Sequence, residues 1–220
     1  MTESLQTDRT RLRRAHERGA YDRDAVYAVL DATPICTVAY TIAGQPFATP
    51  TMHWRDGDRL YWHGSAASRM LRTVREAPPV CLTVALFDGL VLARSAFHHS
   101  ANYRSAVVLG RARPVEDAAE KEAALDLLMA RVAPGRLAEV RGATAQEIKA
   151  TTVVSMPIEE ASAKIRTGPP VDDEADYDAV DAWAGVLPIR QIWGAPIPDP
   201  RQAADRPVPD YLSRLVRAAL

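Results

Sequence analysis

The chain is poor in the residues that build the most easily recognised sites. Of its 220 residues only two are cysteine, Cys36 and Cys81. No Cys-x-x-Cys spacing exists, so structural zinc and dithiol redox chemistry have no support. Both cysteines lie in apolar runs, residues 34–38 and 79–84, where a free buried thiol on a strand is the plain expectation. No Gly-x-Gly-x-x-Gly, no P-loop and no Gly-x-Ser-x-Gly elbow occurs. No apolar run approaches the roughly 20 residues that cross a bilayer. The N-terminus lacks an apolar h-region, and none follows Arg13-Arg14, so no secretory or twin-arginine signal is read and a cytoplasmic protein is expected. The formal net charge is only −1, which leaves nothing to draw the whole molecule to nucleic acid or membrane. The basic residues that do gather, Arg9, Arg11, Arg13, Arg14 and Arg18, are interleaved with Asp8 and Glu17 and read as a solvated arm.

What is present is a series of short strands. Residues 1–20 read as a polar, loosely attached N-terminal arm. Asp22 or Asp24 caps a helix to about Asp31. The apolar period then changes to that of strands at 35–42, 47–54 and 60–63, with a turn at Ala43-Gly44-Gln45 and a hairpin signal at Asp56-Gly57. A short helix carrying Met70, Leu71 and Val74 follows and is ended by Pro78-Pro79. Strands 80–87 and 90–96 are expected to form a hairpin across Asp88-Gly89. Further strands are expected at 106–112 and, as one long final strand, at 151–165, with a surface helix at 116–132. Six or more hairpin-linked strands must close or be covered, which predicts a mainly β, antiparallel barrel with short flanking helices, over 21–168. Eight of the 16 prolines fall in 169–220, so this part reads as a C-terminal extension that packs on the barrel or on a dimer partner and ends in a helix at 211–219.

Three constellations carry chemistry. In His63-Gly64-Ser65-Ala66-Ala67-Ser68-Arg69 a strand ends, small residues turn the chain, and a helix begins with hydroxyls and a guanidinium. Backbone N–H groups and an arginine there suit a phosphate, while a plain helix N-cap at Ser65 or Ser68 explains the same residues equally well. His98-His99-Ser100-Ala101-Asn102-Tyr103-Arg104-Ser105 is rich in hydrogen-bonding groups and reads either as a site or as a polar connecting turn. Neither these histidines nor His53 and His63 have a metal-ligand spacing, so no metal site is expected. Trp193 in Ile192-Trp193-Gly194-Ala195-Pro196 either pins the tail or touches a ligand; Trp54, Trp62 and Trp183 read as packing residues.

Taken together, the order and spacing of several marks resemble the pyridoxamine 5'-phosphate oxidase-like flavin-binding proteins, in the nitroimidazole-resistance-type branch. The marks are Arg18-Gly19-Ala20-Tyr21-Asp22, Phe47-Ala48-Thr49-Pro50-Thr51-Met52, Leu60 to Ser65 leading to Ser68-Arg69, His99 to Ser105 and on to Gly110, and Gly185-Val186-Leu187-Pro188 to Trp193. The resemblance spans roughly residues 18–198. It implies a split β-barrel homodimer with FMN between the subunits. It implies that Thr49, Pro50, Thr51 and Met52 line the flavin ring, that Trp62, His63 and Ser65 flank the ribityl-phosphate, and that Ser68 and Arg69 hold the phosphate. Met70 stands where the family has a lysine. Ser105 and Trp193 match late positions that reach the cofactor, and the arginine of the oxidase's substrate motif is not evident. The implied function is an FMN-dependent oxidoreductase acting on a small aromatic or nitro compound. A non-catalytic flavin-binding or storage protein, or a split barrel holding a deazaflavin or haem, are the alternatives. His63 is the candidate proton donor, because an imidazole near the flavin titrates close to working pH.

Overall fold

The structure is a computed structural model that describes residues 4–203 and 205–218. A two-residue strand, β1 (Gly19–Ala20), precedes helix α1 (Arg23–Asp31). The Asp22 carboxylate accepts the Ala25 N–H at 2.9 Å as the N-cap, and Val26, Val29 and Leu30 form the buried face. Three antiparallel strands follow: β2 (Ile35–Ile42), β3 (Gln45–Asp56) and β4 (Arg59–Ser65). Ala43 and Gly44 both have positive φ, 48° and 80°, which is the two-residue turn that matches strand twist. A short helix α2 (Arg69–Val74) buries Met70, Leu71 and Val74 and leads into β5 (Pro79–Leu92) and β6 (Ser100–Arg111). After β7 (Arg113–Pro114) come α3 (Ala118–Val132), α4 (Ala145–Ala150), β8 (Thr151–Pro157) and β9 (Glu160–Arg166). The remainder holds α5 (Glu174–Ala179), β10 (Gly185–Pro188) and α6 (Asp210–Ala218). The final residues expected in the last helix include Ala219, which lies outside the described residues.

Every strand pairing among the described residues is antiparallel, in the order β1-β9-β6-β5-β2-β3-β4-β8-β7, with β10 added to β5. One core takes side chains from both ends of this path, Val38 of β2, Trp62 of β4, Leu82 of β5, Val108 of β6, Met156 of β8 and Ala163 of β9, together with α1 and α2. The sheet is therefore curled round a common interior. It is not closed: the chain steps from β8 to β9 through Ile158 and Glu159 without a ladder joining the two strands. This is the expected mainly β split-barrel architecture with a few helices. A second, smaller core of Trp54, Tyr61, Val115, Ala124, Leu128 and Val153 lies outside the barrel, where α3 covers β3, β4 and β8.

Four expectations are corrected. Asp88-Gly89 is a bulge inside one continuous strand rather than a hairpin: Phe87 faces Tyr103 and Gly89 faces Asn102, so two residues stand opposite one. The bulge resets the alternation, and buried positions move from Leu82 and Val84 to Val91 and Ala93. The polar run Ser100 to Ser105 is the first half of β6 rather than a connecting turn. Residues 151–165 are two strands on different parts of the sheet, broken at 158–159. The N-terminal arm is attached: Leu5 enters the main core, its N–H donates to Tyr21 O at 2.9 Å, and Ala161 N–H donates to Leu5 O at 3.0 Å.

The extension is held at three places. The Asp172 side chain is fully buried and accepts the Arg94 and Ser95 N–H groups at 2.9 and 3.3 Å and the Arg94 guanidinium at 3.3 Å. β10 pairs with the outer half of β5. Tyr211 donates to Glu139 at 2.8 Å and accepts from Arg136 at 3.0 Å. Between the last two points, the described residues from 187 to 208 are all exposed.

Candidate functional site

The ladder between β3 and β4 is short, running only from His53 opposite Trp62 to Asp56 opposite Arg59. On one side of this junction β3 continues back to Gln45 paired with β2 alone. On the other, β4 continues to Ser65 paired with β8 alone. The strands part, and the chain leaving β4 turns through residues 66–68 into α2. The V-shaped cleft so formed is fronted by Thr49, Pro50, Thr51, Met52, His63, Ser65, Ser68 and Arg69, eight of the residues singled out in the sequence.

Register decides what the free edge of β3 offers. The tight turn makes Ile42 and Gln45 a hydrogen-bonded pair, so odd residues of β3 direct their N–H and C=O groups at β2. His53 follows the same parity, its N–H donating to Pro34 O at 2.8 Å. The even residues Pro46, Ala48, Pro50 and Met52 direct theirs into the cleft. Two of these are proline, so the edge presents four carbonyls but only the Ala48 and Met52 N–H donors. Thr49 and Thr51 face the barrel side, and Thr49 Oγ1 is 3.3 Å from the Tyr40 hydroxyl. Phe47, on the same face, stacks on Tyr40 with centroids 5.7 Å apart and lies under the Arg69 guanidinium at 4.9 Å. Phe47 and Tyr40 were missed as site residues; their shared parity with Thr49 was the available signal.

Ser68 occupies the N-cap position of α2 but makes no capping hydrogen bond. Ser65 Oγ accepts the Ala67 N–H at 3.3 Å, and its carbonyl accepts the Ser68 N–H at 2.8 Å. The Ser68 hydroxyl thus has no capping duty. Because α2 has six residues its dipole is small, and the positive charge of the cleft belongs to the arginines. Met70, where a lysine was looked for, is buried in the core. Arg72 and Arg75 continue from Arg69 at intervals of three residues and are exposed.

His63 stands on the outer side of the cleft, half-buried, with its ring 5.7 Å from that of Trp54 and tilted by 58°. Its Nδ1 is buried with no hydrogen-bond partner. Burial lowers its pKa below the ordinary histidine value, so the neutral ring prevails at pH 7. Trp62 does not front the cleft with its side chain: the indole is wholly buried in the main core and only its backbone is at the junction. Met52 packs beside Trp54 under α3.

Two predicted residues are not brought to the cleft within one chain. Ser105 lies on β6, opposite Ala85 of β5, with β5 and β2 between it and β3, and its hydroxyl donates to Lys164 O at 3.3 Å. Trp193 sits in the exposed arm of the extension and is 59% exposed. The outer sheet face that carries Ser105 also carries exposed Ile35, Ala48, Pro50, Ala85 and Phe87. The arm itself stands off the body around a hollow of ≈ 1390 Å³ bounded by Met129, Ala133, Tyr211 and Leu212.

Among the described residues no group of three metal-ligating side chains occurs, and no helix is long and apolar enough to cross a membrane. The sequence profile of the pyridoxamine 5'-phosphate oxidase family matches residues 22–165. The chain is similar to the flavocytochrome Anf3 from Azotobacter vinelandii, with 46% identity, 97% of this chain and 98% of that one covered, and a TM-score of 0.90. It is similar to the FAD and haem binding protein from Mycobacterium smegmatis at 36% identity, over 90% and 97% of the two chains, with a TM-score of 0.87. A 5-nitroimidazole antibiotic resistance-type protein from Bacteroides thetaiotaomicron shares the fold at 22% identity, over 67% and 86%, with a TM-score of 0.57. No curated protein matches the chain.

Proposed function

Because the chain belongs to the pyridoxamine 5'-phosphate oxidase-like family, we propose that it is a flavin-dependent redox protein that also carries haem and works as a homodimer. The observation that carries this reading is the near full-length similarity to a flavocytochrome and to a protein that binds FAD and haem. Both are far more similar to this chain than the nitroimidazole-resistance-type protein.

The cleft fits a flavin. The rim of the isoalloxazine ring carries carbonyl acceptors and an N–H donor, and the β3 edge offers both kinds of partner at Ala48, Pro50 and Met52. Ser68 and Arg69 would take phosphate oxygens, the guanidinium by charge-assisted hydrogen bonds. The sequence led to FMN; FAD is favoured by the similarity to the FAD and haem binding protein from Mycobacterium smegmatis and by Arg72 and Arg75, which extend the positive charge along α2 for a second phosphate. When bound, the flavin supplies one- and two-electron transfer. Ala48, Pro50, Met52, Ser68 and Arg69 would hold that group, with haem or a small aromatic or nitro compound as its redox partner.

In the same reading, a second copy covers the exposed outer sheet face and brings its Ser105 and Trp193 to the cleft. His63 would be the group that moves a proton at the cleft. Its lowered pKa means that its donor form grows only as pH falls below about 6.5, the ordinary histidine value. The free thiols Cys36 and Cys81 suit a reducing cytoplasm.

The test is titration of wild type and Arg69→Ala with FAD, FMN and riboflavin. Loss of the charged partner should cost ~1.5–3 kcal/mol, or roughly ten- to a hundredfold in affinity for FAD and FMN, and leave riboflavin nearly unaffected. Equal affinity of mutant and wild type for FAD would remove Arg69 from the site.

A further inference from the structure

We propose that His99, on the loop between β5 and β6 and outside the β3–β4 cleft, is an axial ligand to haem; the assignment rests on the reading of this chain as haem-binding. A porphyrin supplies four nitrogens, so the protein need supply only one or two donors. The absence of three clustered metal ligands among the described residues is therefore compatible with such a site.

The five histidines differ in what their nitrogens are doing. His53 is fully buried and its Nε2 is 2.9 Å from Leu30 O; a carbonyl only accepts, so that nitrogen carries the proton and faces the core. His16 is exposed beside Glu17 in the N-terminal arm. His98 lies 3.4 Å from Asp173 through Nε2, the nitrogen a metal would need. His63 belongs to the β3–β4 cleft. His99 is exposed and directs Nδ1 at Ser95 O, 2.9 Å away. Since the acceptor is again a carbonyl, Nδ1 carries the hydrogen, and Nε2 keeps its lone pair outward with no partner among the described residues. Metal-bound histidines are held in this way: the second nitrogen donates to a carbonyl, which fixes tautomer and ring direction and raises the basicity of the free nitrogen.

The support under His99 is rigid. Ser95 O also accepts the His98 N–H at 3.1 Å, and Ser95 Oγ accepts the Phe97 N–H at 3.2 Å. The Ser95 and Arg94 N–H groups are tied to the buried Asp172 carboxylate, and the Arg94 guanidinium lies 4.8 Å over the Tyr177 ring. Two residues earlier on the same loop Phe97 is 89% exposed; its ring meets that of His98 edge-on at 5.3 Å and leaves the rest of its aromatic surface open to the face or edge of a porphyrin. At the root of the loop, Leu92 pairs with Gly185, against which the 70% exposed Trp183 ring packs. A donor with one nitrogen tied and one free, on a loop that also exposes an aromatic ring, is what an apolar macrocycle with a metal centre would use.

The experiment is titration of the purified protein with hemin, followed by optical and electron paramagnetic resonance spectra, for wild type, His99→Ala and His63→Ala, with far-ultraviolet circular dichroism as the check on folding. The expected result is hemin uptake by wild type and His63→Ala with one common Soret spectrum. His99→Ala should give a changed Soret band and spin state and an affinity at least ~10-fold weaker. Added imidazole should restore the wild-type spectrum in His99→Ala, which loss of a merely structural contact would not allow. A wild-type spectrum in His99→Ala, or its loss in His63→Ala alone, overturns the assignment while leaving the haem reading in place. No hemin uptake by wild type overturns that reading and the assignment with it.

Discussion

The β3–β4 cleft and the C-terminal extension use the same residue types to opposite ends. In the cleft region Trp62 is wholly buried, and the core beneath it is continuous with α1, α2 and six strands. In the extension Trp183, Leu187, Ile189, Ile192, Trp193 and Ile197 are all exposed, and the chain touches the body at only a few points. Apolar side chains hold the first region together within one chain. In the second they have nothing to cover them, and a chain would not keep so much uncovered aromatic surface without a use for it. The difference teaches where the molecule is complete and where it is not: the walls of the cleft are made within one copy, while the apolar side chains of the extension are covered by nothing among the described residues.

The sharpest way to break this comparison is to delete the two kinds of tryptophan. Trp62→Ala should cost about 3–5 kcal/mol in urea unfolding, the range for removing a large buried side chain. Trp193→Ala should change folding by no more than ~0.5 kcal/mol yet weaken flavin retention and dimer formation. Equal losses of folding stability in the two variants would erase the distinction. Next in size is Gly89→Ala. The bulge gives Gly89 a φ of 156°, and a Cβ there would stand 2.6 Å from Leu187 O and 3.0 Å from Pro188 Cα. The substitution should cost roughly 1–3 kcal/mol and release β10 from β5, seen as faster amide exchange within 185–187 with β2 and β6 still protected. The smallest effect is one of pH. Burial raises the Asp172 carboxyl, but the N–H groups of Ser95 and Arg94 and the Arg94 guanidinium outweigh it and hold the group below the ordinary aspartate range. A depressed pKa contributes stability above the unfolded value of about 3.9 and loses it as pH falls through the folded value. The extension should therefore loosen below about pH 4, in a step of tryptophan fluorescence anisotropy that Asp172→Asn lacks.

Local chemistry in the sequence was enough for α1, β2, the Asp56-Gly57 turn and α3, because each carries its own cap, period or turn residues. It failed where distant pairing decided the outcome. Asp88-Gly89 has hairpin composition, but β6 runs alongside β5 on both sides of it, and continuous pairing turns the same two residues into a bulge. The run 100–105 looks like a turn because its residues are polar, yet Asn102 is buried and satisfied by Gly168 O at 3.1 Å and by the Arg166 guanidinium. The break at 158–159 has no glycine to announce it; only Pro157 and Glu159-Glu160 interrupt the apolar texture there, and such residues also occur within edge strands. For the site, the family resemblance pointed to residues on β3 and on the β4–α2 turn, which the fold brings to the two sides of the strand junction. It could not separate side chains from backbone, so Trp62 was counted as a contact although its indole points into the core. The free nitrogen of His99 is invisible in sequence, since it depends on where Ser95 O lies.

Pro46 and Pro50 give the cleft one further property. A strand edge in water is a template on which another chain can add, and such edges are a common start of aggregation. Along the cleft side of β3 the two prolines delete alternate donors, so an incoming strand would find its carbonyls unmatched at every second step. A small cofactor needs only a few of these groups and is not hindered. The same strand can therefore stay open to a ligand while being closed to polymerisation.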